Sequence, residues 1–204
     1  MPTLTLPARA LGAIALSMAL PLTAAPADPA AGQAKAAACA ACHGPVGVSA
    51  NPAFPSLAGL GERYLAKQLA DYKSGARQNP IMAGQVAALN EQDFANLAAF
   101  YAAQQAAPKP SETASPEGRA LYMAGRPQDG IPACAACHGP DGHGNAPAGY
   151  PALRGQVGAY LEASLKGYRA GTRANDANNV MRAAAKGLTD ADITALTAHI
   201  ATFR

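Results

Sequence analysis

All four cysteines of the chain lie in two identical heptapeptides, CAACHGP, at Cys39 to Pro45 and Cys134 to Pro140, 95 positions apart. Each copy supplies two thiols three positions apart and an imidazole beside the second. Three chemistries use such a set. A redox dithiol is one, but C-x-x-C pairs of that kind belong to a βαβ pattern, and no strand alternation flanks either copy. Zinc is another, but structural zinc sites close with a second ligand pair a short distance on, and each pair here stands alone. The third is covalent haem attachment, in which both thiols add to the haem vinyl groups and the histidine reaches the iron as proximal ligand. One helical turn presents both sulfurs to one porphyrin edge and the imidazole beneath its face.

The N-terminus helps to choose among them. Arg9 is followed by the apolar run ALGAIALSMALPL and the small residues TAAPADPA. That is the order of a secretory signal, with cleavage expected after Ala27. The run is too short and too broken by proline to span a membrane, and nothing else approaches span length. An exported chain that spends every cysteine on two copies of one motif points to haem. Composition agrees. Half the residues are apolar, many of them alanine, aromatics make up 5% and tryptophan is absent. Side chains of this kind leave two small domains with thin cores, which a large flat apolar cofactor would fill. The net charge of +3 falls to +2 without the Arg9 segment. With no basic cluster interleaved with aromatics, nucleic acid is not an expected partner.

The two halves also align outside the motifs. FPSLAGLGERYLAKQLADYKSGARQNPIM, from Phe54, pairs with YPALRGQVGAYLEASLKGYRAGTRANDANNVM, from Tyr150. Pro55 matches Pro151, Gly75 matches Gly171, Arg77 matches Arg173 and Met82 matches Met181. The period is too long for a solenoid and marks a duplicated domain. The reading is a signal peptide over 1–27, a first domain over 28–105, a polar linker over 106–115 and a second domain over 116–204. Each domain is read as all-α. An opening helix starts at Asp28-Pro29 or Ser115-Pro116. A middle helix carries Leu65, Leu69 and Tyr72, or Leu161, Leu165 and Tyr168. It is stopped by Gly75 or Gly171. A closing helix follows Asn90, or the capping-box sequence TDAD at Thr189.

A haem iron has a sixth position. Met82 lies 39 residues after His43 and Met181 lies 43 after His138, in NPIMAGQ and NNVMRAA. Both are read as lying in the loop before the closing helix. A lone methionine usually fills core, but two in register downstream of two haem motifs read as distal ligands. His/Met ligation raises the potential and fills both axial positions, which favours electron exchange over binding of oxygen or peroxide. His143 is read as exposed in a glycine-rich turn, and His199 as a closing-helix residue with a solvated tip. Met123 is read as packing, and is the fallback ligand. The segment AGRPQDGIPA of the second half has no counterpart in the first, and is read as shaping a partner surface or the local haem environment.

The order C-x-x-C-H-G, P-x-L-x-G, amphipathic helix, methionine and final helix resembles class I cytochrome c. The tandem arrangement resembles the di-haem cytochrome c4 family over essentially the whole mature chain. The resemblance implies two covalently attached haem c groups, with Cys39, Cys42, Cys134 and Cys137 as anchors. His43 and His138 would be proximal ligands, and Met82 and Met181 distal ones. The carbonyls of Pro55 and Pro151 would accept a hydrogen bond from the proximal imidazoles. The family places its haem edges together at the domain interface, where the propionates need donors. Tyr64, Tyr72, Arg77, Tyr160, Tyr168 and Arg173 are the candidates. The implied function is periplasmic electron transfer, not enzymatic catalysis, in a respiratory chain. Electrons would pass from a quinol-oxidising complex to a terminal oxidase, through redox protein partners and with no small-molecule substrate. No span is expected in the mature chain, which leaves peripheral membrane attachment open. The alternative is a haem electron-accepting subunit of a larger dehydrogenase, such as a flavin-containing sulfide-oxidising one. A di-haem peroxidase would need an openable iron, and a methionine in both halves argues against it.

Overall fold

Pro29 and Pro116 each occupy the first position of a helix, behind a residue that caps it. The Asp28 carboxylate accepts from the Ala30 N–H at 2.8 Å, and the Ser115 hydroxyl accepts from the Gly118 N–H at 3.0 Å. Such caps contribute about 1 kcal/mol each. The computed structural model describes residue 1, residues 25–108, residue 111 and residues 115–204. Most of the expected signal segment, residues 2–24, and residues 109–110 and 112–114 of the expected linker lie outside the described residues.

The first half contains α1 (Pro29–Ala36), α2 (Ala40–His43), α3 (Glu62–Ser74), α4 (Pro80–Val86) and α5 (Glu91–Ala102). The second contains α6 (Pro116–Ala124), α7 (Ala135–His138), α8 (Gly158–Ala170), α9 (Val180–Ala185) and α10 (Asp190–Ile200). Pairing among the described residues is limited to two isolated bridges, Arg126 with Ile131 and Asn145 with Tyr150. The class is all-α. No helix among the described residues is long and apolar enough to cross a membrane.

Helix ends follow local chemistry. Capping boxes open α5 through Asn90 and Asp93, and α10 through Thr189 and Asp192. Helices α3 and α8 stop at Gly75 and Gly171 in the left-handed region, with φ of 79° and 74°, where a Cβ would be strained. In each half the opening helix crosses the closing one, and the middle helix packs against the closing one. The crossings are backbone to backbone. A Cβ on Gly32 would stand 2.0 Å from the Asn96 carbonyl oxygen, and one on Gly118 would stand 1.9 Å from that of Ala195. The closing helices then bury Leu97, Phe100 and Tyr101 in one core and Ile193, Leu196 and Ile200 in the other.

The structure corrects three expectations. Met82 and Met181 lie on the short helices α4 and α9, not in loops. Asn79 caps α4, accepting from the Met82 N–H at 3.0 Å, and Pro80 occupies its first turn. The chain enters α9 through Asn178 and Asn179, both left-handed (φ 53° and 61°), a conformation asparagine tolerates. His199 is buried, its ring against Tyr122 and Phe203 at 5.4 and 5.1 Å, with Nε2 lacking a polar partner. Burial lowers its pKa, helped by Arg119. Its alignment with buried Phe100 was the available signal. Met123 is 40% exposed and packs poorly. The extra segment of the second half is anchored at its ends, with residues 127–130 exposed between them. Ile131 is buried in the core, and Arg126 donates two hydrogen bonds to Asp192 at 2.9 and 2.8 Å. It braces the α10 cap.

Candidate haem sites

Each C-x-x-C-H sequence folds into a single helical turn. The carbonyls of Cys39 and Cys134 accept from the backbone N–H of His43 and His138 at 3.0 and 2.9 Å. No disulfide joins the four cysteines, which are of intermediate burial, and both imidazoles are buried. Gly44 and Gly139 follow at φ of 81° and 79° and turn the chain away.

The imidazoles are held by P-x-L-x-G. His43 Nδ1 lies 2.8 Å from the Pro55 carbonyl oxygen, and His138 Nδ1 lies 2.9 Å from that of Pro151. A carbonyl only accepts, so Nδ1 carries the proton and Nε2 keeps its lone pair for a metal. Burial lowers both imidazole pKa values, and the proline bond opposes it only partly. Both rings are therefore neutral at pH 7, as ligation requires. Near Cys39, the buried Tyr101 hydroxyl faces the sulfur with no oxygen or nitrogen partner.

In the second domain these groups share one cleft of about 340 Å³, within the range that holds a small ligand or cofactor. Cys134, His138 and Met181 line it, together with Pro151, Leu161, Leu165 and Leu196. Leu60, Tyr64 and Gln68 of the first domain line it as well, so the cleft opens at the domain interface. A thiol, an unprotonated imidazole nitrogen and a thioether on mostly apolar walls suit a flat apolar macrocycle with a central iron. Zinc lacks its donors: among the described residues, no group of three or more His, Cys, Asp or Glu converges.

The six candidate propionate donors meet at the same interface with pseudo-two-fold symmetry. Arg77 donates to its own domain's Gln68 at 2.8 Å and to Tyr160 of the other at 3.1 Å. Arg173 donates to its own Ser164 and to the first domain's Tyr64, both at 3.0 Å. Tyr72 lies under the Arg77 guanidinium at 4.7 Å and Tyr168 under that of Arg173 at 4.5 Å. Burial disfavours phenolate at Tyr160, but the two guanidiniums outweigh it and lower its pKa; at Tyr64 burial wins and raises it. Buried Gln68 and Asn175 join the network, Asn175 donating to Gln68 at 3.0 Å. Nothing in the sequence singled out these two, because they meet each other across 107 residues. Arg173→Leu removes donors from Tyr64 and Ser164 in a poorly solvated place. We expect it to cost about 1–3 kcal/mol, read as a lower denaturant midpoint with an unchanged slope.

A protein built this way is a c-type cytochrome, with two haem domains in one chain. Comparison with known proteins narrows the class. The family model described as Cytochrome c matches residues 29–103 and again 115–204. Cytochrome c4 of Azotobacter vinelandii is 44% identical over 184 residues, 85% of this chain and 88% of the relative. The thiosulfate dehydrogenase electron acceptor of Thiomonas intermedia is 41% identical over 202 residues, 96% of this chain and 92% of the relative. The crystal structure of reduced recombinant cytochrome c4 from Pseudomonas stutzeri matches with a TM-score of 0.84 at 40% identity, covering 87% of this chain and 100% of that one. The chain belongs to the di-haem cytochrome c4 family, and it carries two covalently attached haem c groups.

Proposed function

We propose that this di-haem electron-transfer cytochrome works in the periplasm, carrying electrons in a respiratory chain from a quinol-oxidising complex to a terminal oxidase. Export rests on the signal-like segment, with cleavage after Ala27. In this reading the haem domains occupy 28–105 and 116–204, joined by the linker 106–115. The observation that carries the proposal is the second cleft, where Cys134, His138 and Met181 line one apolar space.

Each haem supplies an iron that alternates between ferric and ferrous states. The chain's residues hold it and keep its surroundings fixed. Cys39 and Cys42 would anchor one haem through thioethers to its vinyl groups, and Cys134 and Cys137 the other. His43 and His138 would present Nε2 to the iron, while the Pro55 and Pro151 carbonyls hold the Nδ1 side of each ring. Met82 and Met181, on α4 and α9, would offer their thioethers to the iron. Arg77 and Arg173 have no carboxylate among their hydrogen-bond partners in the described residues. They therefore suit carboxylates, and in this reading they and their tyrosines receive the haem propionates. Apolar walls limit water near the iron, so little reorganises when the charge changes.

A redox titration of purified protein is expected to give two one-electron waves with c-type spectra. It is also expected to turn over hydrogen peroxide no faster than a mono-haem carrier. Robust peroxide turnover would replace the carrier reading with a peroxidase.

A second reading is supported by the relative named as a thiosulfate dehydrogenase electron acceptor. Here the chain accepts electrons from a dehydrogenase that oxidises a sulfur compound. Faster reduction by such a dehydrogenase than by a quinol-oxidising complex, or stable co-purification with it, would favour this donor.

A further inference from the structure

The supports of the two proximal histidines are not equivalent. The peptide between Pro55 and Ser56 is engaged at both ends. Its carbonyl accepts from His43 Nδ1–H at 2.8 Å, and its N–H donates to Oε1 of Gln156, across the domain interface, at 2.8 Å. Gln156 Nε2 donates back to the Ser56 carbonyl at 2.9 Å, so the side-chain amide pairs with Ser56 as a neighbouring strand would. The Val157 N–H also donates to Gln156 Oε1 at 2.9 Å, which agrees with that orientation of the amide. Ser56 is 7% exposed, so these bonds are sheltered from water.

The duplication provides an internal comparison. In the second domain the supporting peptide joins Pro151 to Ala152, and the residue aligned with Gln156 is Leu60. Leu60 and Ala152 are buried in one apolar cluster. Leucine has no acceptor to offer the Ala152 N–H. The two halves of the interface therefore place an amide clamp on one support and an apolar contact on the other.

We infer that Gln156 is a positioning residue for the proximal histidine of the first haem, and that through it the second domain sets that haem's reduction potential. Hydrogen bonds in a chain polarise one another, by about 10–30% per bond. An amide whose N–H is held by Gln156 has a more electron-rich carbonyl. That carbonyl draws harder on the Nδ1 proton of His43. The imidazole then donates more strongly to iron and favours the ferric state. The first haem is thereby held at a lower potential than it would have without the clamp. The inference rests on His43 being the proximal ligand.

The test uses the full di-haem chain carrying Gln156→Leu, or Gln156→Met, which is unbranched and serves where leucine disturbs folding. Neither changes the charge. Redox titration is followed by NMR of the Phe54 and Tyr150 rings, which lie 6.2 and 6.3 Å from the His43 and His138 rings and so assign the two waves. The expected result is a shift of about threefold in the first haem's equilibrium toward ferrous, roughly 28 mV for one electron, with the second wave nearly unmoved. The His43 Nδ1–H resonance should move toward that of a weaker hydrogen bond, while that of His138 stays. An unmoved first wave in a folded variant, or equal shifts of both waves, would reduce Gln156 to an interdomain contact and overturn the inference. Failure of the haem reading itself would look different: the unsubstituted protein would lack two c-type waves.

Discussion

Replacing Met82 or Met181 by alanine is expected to remove about half of the weak long-wavelength absorption that methionine gives on ferric haem iron, because the proposed reading gives each haem its own histidine and methionine. The potential of the affected haem should fall, since a thioether opposite histidine raises it. The altered iron should also bind cyanide, while its partner in the other domain does not. The geometry supports separate effects. Met181 lies in the second cleft and against the second core, whereas Met82 lies on α4 of the first domain. The fallback ligand, Met123, is 40% exposed on α6 and cannot substitute without moving that helix. Spectra of the two single variants and the double variant check this. If neither single substitution changes the band, the distal assignments fall.

The second large effect belongs to the scaffold. Gly118→Ala, and Gly32→Ala in the first domain, are expected to destabilise the fold by about 3 kcal/mol or more, at or beyond the upper end of ordinary overpacking. The new methyl would meet a backbone oxygen at 1.9 or 2.0 Å. Backbone on both sides leaves no rotamer to relieve the clash, so the crossing of opening and closing helices must part. A domain is stable by only about 5–15 kcal/mol, which makes this a large fraction. Gly84→Ala is the control. Gly84 lies within α4 with nothing near its Cβ position, and alanine there should be neutral or stabilising by up to about 1 kcal/mol. Chemical denaturation of the three variants separates a steric effect from a general intolerance of alanine. Equal midpoints would contradict the close crossing.

These helix crossings show how the legible and the illegible divide. Asp28, Ser115, Asn90 and Thr189 were readable as caps because a cap is a contact between residues two or three apart. Gly75 and Gly171 were readable as stops because the strain of a left-handed residue is local. The C-x-x-C-H turns, the duplication and the matched methionines are likewise patterns of spacing along one chain. They sufficed for an all-α di-haem protein with its cofactor chemistry. Gly32 and Gly118 passed unnoticed, since their role depends on which helix lies across them.

The sequence determined by itself the two haem-attachment motifs and the duplication that sets a methionine downstream of each; its resemblance to a known family added the proline carbonyl as the expected support of each imidazole. It did not determine what the domains do to each other. Arg77 reaches Tyr160 and Arg173 reaches Tyr64 across separations of 83 and 109 residues, and Gln156 reaches Ser56 across 100. His199 became buried because Tyr122 and Phe203 close over it. Periodicity and caps govern residues a turn or two apart, whereas these contacts follow from how whole surfaces pack and exclude water. Only the docking of the folded domains could decide them.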